Sequence, residues 1–191
     1  GIVDHETGTR DLRRLGGLAA IMPLTATLGV LAAAAMAGLP PLGGFISKEA
    51  MLYETPRLAL FGVTWLLPVL ATIGATFSVG YSLRLAVHLF FGKPREAEPF
   101  ARAHDPSLAM WGAPALLTLV AVLLGLVPMW LAAPLVSAVA GAVTGSAPPE
   151  VELALWHGVN LALILSALAV AGGARHPSPT YSEVTRWRNF A

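Results

Sequence analysis

Cysteine is absent from the 191-residue sequence, and charged residues are scarce. Without a thiol, this chain can form no disulfide, no thiolate metal site and no iron–sulfur cluster. Charged residues make up 12% of the sequence, about half the share of a typical soluble domain. Because 55% of the residues are hydrophobic, so few charges cannot form a surface of ordinary polarity. The composition therefore predicts a membrane-embedded protein.

Several motifs of soluble functions are also missing. Basic residues do not form a stripe interleaved with aromatic side chains, which argues against nucleic-acid binding. The sequence contains no phosphate-binding loop, dinucleotide fingerprint or nucleophile elbow, so we expect no cofactor and no enzymatic activity. No basic region with a cleavage site precedes the first apolar run, and the chain starts at Gly1. We expect a fragment of a longer protein, from a truncated gene or a split subunit.

Long apolar runs are what the sequence has in abundance. A helix needs about 20 apolar residues to cross a bilayer. Four segments reach this length, at residues 18–45, 58–91, 108–127 and 151–173. They predict an all-α bundle of about four transmembrane helices. The apolar stretch 128–143 is shorter, and we interpret it as a re-entrant or interfacial helix, with a fifth short span as the alternative.

The first apolar run is interrupted by Pro40-Pro41 within a glycine-rich stretch, 38–44. Adjacent prolines remove two backbone donors and clash with the preceding helical turn. A continuous helix through this stretch is therefore not expected. Non-helical backbone at membrane depth persists only where protein or a water-filled cavity surrounds it. We expect this break to face the protein interior.

Basic residues are distributed unevenly among the predicted loops. Nine of them fall at the two chain ends and between the second and third spans, at Arg10, Arg13, Arg14, Lys93, Arg95, Arg102, Arg175, Arg186 and Arg188. The other two loops contain only Arg57. Loops rich in lysine and arginine stay on the cytoplasmic side. The pattern predicts a multi-pass membrane protein, with a cytoplasmic loop at 1–17, a membrane part at 18–173 and a polar cytoplasmic tail at 174–191.

Lys48 follows the break, next to Glu49, and is the main candidate for function. Ionisable residues inside membrane spans are costly and usually face a bundle interior or a water cavity. A lysine withdrawn from water can release and regain a proton near neutral pH, as a proton relay requires. Freed carbonyls and half-helix ends form ion sites in transporters. The alternative is a lysine that reaches the far interface or pairs with Glu49.

Further polar residues lie in the predicted spans. Arg84 and His88 are four residues apart, on one face of the second span. A histidine titrates near physiological pH, so His88 is a candidate relay member, whereas Arg84 is interpreted first as reaching the nearby cytoplasmic interface and second as a functional residue. His157, beside Trp156, is interpreted first as a hydrogen-bonding residue between helices and second as a transport residue. Thr72, Thr76 and Ser78 are typical of helix packing and hydrogen bonding.

The charged stretch 4–11 precedes the first span. A metal site formed by Asp4, His5 and Glu6 is conceivable, but adjacent residues seldom converge on one ion. We therefore predict no metal site and interpret the stretch as a docking or capping segment.

Several motifs resemble the large A subunit of Mrp-type multisubunit Na⁺/H⁺ antiporters. They are GIVDHETGTRD at 1–11 with LGGL at 15–18, MAGLPP at 36–41, GFISKE at 44–49, YSLR at 81–84 with FFG at 90–92, and LALWHGVN at 153–160. The opening stretch is the most specific. GFISK is shared with the antiporter-like proton-pumping subunits of respiratory complex I and of membrane-bound hydrogenases. The resemblance covers about residues 1–173.

This resemblance implies the C-terminal part of an antiporter module, in which the lysine of the broken helix ends a central proton-relay axis. That role falls on Lys48. The family's earlier helices are not in this sequence, so we expect other subunits of a hetero-oligomeric complex as partners, together with lipid, protons and Na⁺. A component of a redox-driven proton pump and a non-transporting membrane scaffold are the alternative interpretations.

Overall fold

The structure is a computed structural model, and it describes residues 1–145, 147, 153, 158 and 160–175. This part of the chain contains nine α-helices, short 3₁₀ turns at Leu18–Ala20 and Thr55–Arg57, and no β-strand. The helices are α1 Ile2–Thr7, α2 Pro23–Ala37, α3 Gly43–Glu54, α4 Leu66–Phe90, α5 Ala97–Arg102, α6 Leu108–Leu126, α7 Pro128–Leu131, α8 Ala133–Thr144 and α9 Leu161–Arg175. The predicted all-α class is confirmed.

Two of the described helices, α4 and α6, are long and apolar enough to cross a membrane. Helices α2, α8 and α9 are shorter and apolar. The first predicted span is two helices, α2 and α3, separated at residues 38–42, where the double proline predicted a break. Helix α3 extends beyond the predicted end of that span, to Glu54.

The second predicted span begins later than its apolar composition indicated. Residues 58–65 are not helical, and α4 starts at Leu66. Leu60 and Val63 exchange backbone hydrogen bonds of 3.0 and 2.9 Å around Phe61 and Gly62, whose φ angles are 53° and 80°. Two successive positive φ angles form a tight turn that no α-helix can contain.

Residues 128–143, interpreted as one short helix, form two, α7 and α8. Pro128 and Pro134 each stand in the first turn of a helix, where a missing N–H is tolerated. The fourth predicted span is described as α9 from Leu161 onward. Most of residues 151–159, including His157, and the tail from residue 176 onward lie outside the described residues.

Helix α4 lies between α2 and α9 and packs closely against α9 through glycines. A Cβ atom on Gly173 would lie 2.7 Å from the Thr76 carbonyl oxygen and 2.8 Å from the Gly80 nitrogen. Small residues of this kind let two helix backbones approach each other in a membrane. The position of α4 relative to α2 determines the site described below.

Charged loops gather at one end of the bundle. Arg14 Nε lies 2.6 Å from Glu96 Oε2, and Arg95 donates to the Leu12 carbonyl at 2.9 Å. A buried apolar cluster lies beneath them, formed by Leu15, Leu18, Met22, Ala26, Leu89, Phe90 and Ala103. The loops before α2 and after α4 therefore meet at one end of the bundle.

Asp105 fixes the start of α2 at this charged end. Its carboxylate accepts hydrogen bonds from the backbone N–H groups of Leu24 and Thr25 at 3.1 Å, and from the Thr25 hydroxyl at 2.9 Å. The first N–H groups of a helix have no partner within it, and a carboxylate there is also favoured by the helix dipole. A residue 80 positions away along the chain thus caps α2.

Candidate functional site

The break after α2 leaves two backbone carbonyls free, and the sequence explains which two. In a helix the carbonyl of residue i binds the N–H of residue i+4. For Met36 and Ala37 those partners would be Pro40 and Pro41, which have no N–H. The carbonyls of Ala34 and Ala35 are satisfied locally, because Gly38 turns back in the left-handed conformation with φ 74°.

Lys48 and Ser78 bind the two free carbonyls. Lys48 Nζ donates to Ala37 O at 2.9 Å, and the Ser78 hydroxyl donates to Met36 O at 3.0 Å. Lys48 Nζ also donates to Ser78 Oγ at 3.2 Å. All four carbonyls at the end of α2 are therefore hydrogen-bonded. The ammonium lies at the negative end of the α2 dipole, which favours its charge.

Gly38 provides the space through which Lys48 reaches α2. A Cβ atom at Gly38 would lie 2.5 Å from Lys48 Cδ, so only glycine leaves room for the lysine stem. Two other glycines hold the segments around the break together. A Cβ atom on Gly44 would collide with the Ala35 carbonyl oxygen, and one on Gly125 of α6 would collide with the Pro41 carbonyl oxygen.

The depth of the site follows from the length of α2. Its fifteen residues rise about 22 Å at 1.5 Å per residue. The hydrocarbon core of a bilayer is about 30 Å thick. Since α2 starts beside the charged loops, the end of α2 that Lys48 binds lies about 22 Å from them along the helix axis.

Glu49 is adjacent to Lys48 but does not pair with it in the described structure. It lies on the buried face of α3 with Phe45, Ile46 and Leu52, and it is 5% exposed. Its Oε2 atom has no hydrogen-bond partner among the described residues. The two neighbours thus have different surroundings, with Lys48 at the break and Glu49 among apolar side chains.

The structure does not place Arg84 and His88 beside Lys48. His88 Nδ1 lies 3.0 Å from the Arg84 carbonyl oxygen, within α4, and Arg84 is exposed. His88 is ten residues beyond Ser78 along the same helix, a rise of about 15 Å toward the charged end. Any exchange between His88 and Lys48 therefore requires intervening water.

The charged stretch before α2 forms ion pairs. Glu6, whose side chain is 6% exposed, lies between two imidazoles, with His5 Nδ1 at 2.9 Å and His104 Nε2 at 3.1 Å. Arg10 pairs with Asp4 at 2.6 Å. No group of three or more potential metal ligands occurs among the residues that the structure describes. The docking or capping role of this stretch stays a prediction.

Two groups in these loops have shifted pKa values. The Arg13 side chain and backbone N–H donate to Asp11, which lowers the pKa of that carboxyl to about 2. The hydrogen bond from Arg14 to Glu96 raises the pKa of that guanidinium further. Both groups stay charged at every physiological pH.

The sequence did not reveal the particular role of Ser78 or the cap supplied by Asp105. It did assign Ser78 to hydrogen bonding, and Thr72 and Thr76 likewise, although these two threonines bond to carbonyls of their own helix. The one available signal was the position of the prolines, which identifies the free carbonyls but not the side chains that bind them.

Known proteins resemble this chain in sequence. Residues 1–78 match a family model described as NADH:quinone oxidoreductase/Mrp antiporter, transmembrane. The A/B subunit of a probable K⁺/H⁺ antiporter of Rhizobium meliloti (strain 1021) is 41% identical over 174 residues, which cover 91% of this chain and 17% of that protein. The A1 subunit of a Na⁺/H⁺ antiporter of Staphylococcus aureus (strain JH9) is 36% identical over 176 residues, covering 89% and 22%.

A solved structure agrees with these relatives. In the structure of the Mrp complex from Dietzia sp. DQ12-45-1b, one chain matches 99% of this chain at a TM-score of 0.75 and 33% sequence identity. The match covers 22% of that chain, so this sequence spans about a fifth of the length of such relatives. The first 78 residues of the chain therefore match the NADH:quinone oxidoreductase/Mrp antiporter family, and nearly the whole chain is similar in sequence to about a fifth of the A subunits of cation/proton antiporters and in fold to a chain of an Mrp complex.

Proposed function

We propose that this chain carries the terminal lysine of the proton path in a monovalent cation/proton antiporter subunit. One observation supports this most directly. Lys48 Nζ binds a carbonyl freed by the double proline and a serine hydroxyl, and no carboxylate pairs with it in the described structure. Neutral partners stabilise the ammonium without the strong hold of a counter-ion, so the lysine can both take up and release a proton.

The other predicted site residues have supporting roles in this proposal. His88 is a second proton-exchanging group nearer the charged end, and Arg84 supports it from the same helix face. Glu49 supports the site from the buried face of α3. His157 supports the site as a hydrogen-bonding residue between helices, the role that the sequence predicts for it first.

The proposal includes a membrane arrangement. Residues 18–173 form the membrane part, with the loop 1–17 and the tail 174–191 on the cytoplasmic side of a bacterial plasma membrane. The contacts between the charged loops at one end of the bundle support this orientation. The partners are further subunits of a hetero-oligomeric complex, lipid, and protons exchanged for Na⁺ or K⁺. The names of the relatives contain both cations.

A second function has support from the family description, which also includes NADH:quinone oxidoreductases. The same lysine would then belong to a redox-driven proton pump. Proton movement driven by added NADH and quinone, without dependence on Na⁺ or K⁺, would favour that function over antiport.

Replacement of Lys48 tests the proposal. In membrane vesicles containing the complete assembly, Lys48→Ala should reduce cation-dependent proton exchange by about a hundredfold or more, because the group that exchanges the proton is gone. Lys93→Ala, in a loop at the charged end, is the matched control and should leave the exchange unchanged. The polypeptide composition after purification shows that the complex has formed. Exchange at the normal rate in an assembled Lys48→Ala complex would refute the proposal.

A further inference from the structure

We infer that Ser78 is a positioning residue for Lys48, which determines where the ammonium lies and which of its N–H bonds remains available for proton exchange. This inference rests on the proposed function of Lys48. Ser78 is in α4, thirty residues away along the chain, and it reaches both the lysine and the end of α2.

The hydrogen-bond directions at Ser78 follow from counting donors. A serine hydroxyl has a single hydrogen and two lone pairs. Ser78 uses its hydrogen on Met36 O, which has no backbone donor because residue 40 is proline. Towards Lys48, therefore, Ser78 can only accept. The free carbonyl thus fixes the orientation of the hydroxyl.

The lysine is constrained in turn. A protonated lysine has three N–H donors, of which one is directed to Ala37 O and one to Ser78 Oγ. No partner of the third occurs among the described residues. When that third proton leaves, the neutral amine keeps the other two hydrogen bonds, and its lone pair occupies the vacated direction. The proton can return along the same direction without rearrangement of the site.

The helices around Lys48 supply no charged partner to its ammonium group in the described structure. Helices α2 and α6 contain no ionisable side chain, and α9 contains only Arg175, in its last turn. The ionisable groups of α4 are Tyr81, Arg84 and His88, and those of α3 besides Lys48 are Tyr53, Glu49 and Glu54. None of these residues forms a hydrogen bond or an ion pair with Lys48 in the described structure. Ser78 is thus the only side chain there that holds the ammonium.

The experiment measures proton exchange against pH in vesicles containing the complete assembly. Ser78→Ala removes an acceptor that binds the ammonium more strongly than the neutral amine. The midpoint of the pH profile should therefore move to lower pH, by about half a unit to one unit. Ser78→Thr keeps the hydroxyl and should stay near the wild-type profile. Ser47→Ala, on the exposed side of α3, is the matched control and should cause no shift.

Two further variants distinguish positioning from packing. Ser78→Val has the shape of threonine without its hydroxyl, so it should shift the profile where Ser78→Thr does not. Ser78→Asp supplies a counter-ion that keeps Lys48 protonated, and exchange should fall at least tenfold in an assembled complex.

The inference is overturned if valine and threonine at position 78 give the same profile, or if Ser78→Asp exchanges normally. Failure of the proposed function looks different, since an assembled Lys48→Ala complex would then remain active and no Ser78 variant would bear on exchange.

Discussion

At the scale of single residues, Gly38 is the position near Lys48 at which a substitution is least tolerated. Its φ angle of 74° lies in the left-handed region, and its missing side chain makes room for Lys48 Cδ. The turn and the lysine therefore require glycine for two separate reasons. The pair Pro40-Pro41 supplies the free carbonyls, and Gly38 lets Lys48 reach one of them.

Gly38→Ala should destabilise the protein and displace Lys48. A left-handed alanine costs about 1–2 kcal/mol, and the added Cβ would lie 2.5 Å from Lys48 Cδ. We expect a lower midpoint of thermal unfolding in detergent together with reduced proton exchange. Gly74→Ala in α4 is the control, because no atom lies within 4 Å of its new Cβ and alanine is the better helix former. Equal behaviour of the two variants would contradict this account of the turn.

Asp11 gives a prediction about pH in the charged loops. Its pKa is lowered to about 2 from an ordinary 3.8 by hydrogen bonds from Arg13. A carboxyl with a depressed pKa contributes its stabilisation fully above the ordinary value, and that contribution is lost as the pH falls through the lower one. The contact with Arg13 should therefore persist above about pH 4 and disappear as the pH falls toward 2.

Solid-state NMR of the Asp11 carboxyl carbon measures this titration in lipid, and Asp11→Asn identifies the signal. Replacement of Arg13 by Gln should return the midpoint toward the ordinary value. A wild-type midpoint near 3.8 would mean that the hydrogen bonds seen here do not hold the carboxylate.

At the scale of elements, α2 is stabilised at both ends by residues distant in the sequence. Asp105 binds the first N–H groups, and Lys48 with Ser78 binds the last carbonyls. No side chain of α2 itself caps its start. The helix therefore depends on the loop before α6 at one end and on α3 and α4 at the other.

Asp105→Ala should loosen the first turn of α2. Loss of a capping carboxylate costs about 1–2 kcal/mol. If local opening governs exchange, the amides of Leu24 and Thr25 should exchange hydrogen for deuterium about tenfold faster. Glu98→Ala removes an exposed ion pair with Arg102 and serves as the control, with no change expected in α2. Unchanged protection in Asp105→Ala would show that Pro23 and the helix backbone suffice to define the start.

At the scale of the whole molecule, polar and apolar surfaces are separated. Ion pairs concentrate in the loops before α2 and after α4, whereas α4 and α6 carry exposed apolar side chains such as Phe77, Leu116 and Leu117. Exposed apolar faces of this extent fit lipid or neighbouring helices, not water. The relatives are several times longer than this chain, so we expect further helices of the same antiporter module against part of these faces.

The absence of cysteine makes the proposed orientation directly testable. A single cysteine at position 57, between α3 and α4, should react with a membrane-impermeant thiol reagent from outside intact cells. One at position 93 should react only after the membrane is opened, because basic loops stay in the cytoplasm. The unmodified chain provides the background, since it has no thiol. The reverse labelling pattern would invert the topology.

Much of the fold was predictable because its causes are local. Low charge and long apolar runs predicted a helical membrane protein, and Pro40-Pro41 predicted the break that separates α2 from α3. The start of α4 was not predictable from hydropathy, because residues 58–65 are apolar enough for a helix but turn sharply at Phe61 and Gly62. A turn of that kind depends on the φ angles of individual residues, and the mean hydropathy of a segment carries no information about them.

The sequence by itself therefore determined that α2 ends before two prolines, that two carbonyls lose their donors there, and that a lysine follows nearby. It also predicted which loops share a side of the membrane. Only the tertiary structure decided which donors reach those carbonyls. The packing of α4 against α2 places Ser78 at Met36 O, and the absent Cβ of Gly38 admits Lys48 to Ala37 O. The physical reason is the distance along the chain over which each effect acts. A proline removes its own N–H, which is a local effect, whereas the donor that replaces it depends on how helices distant in the sequence pack.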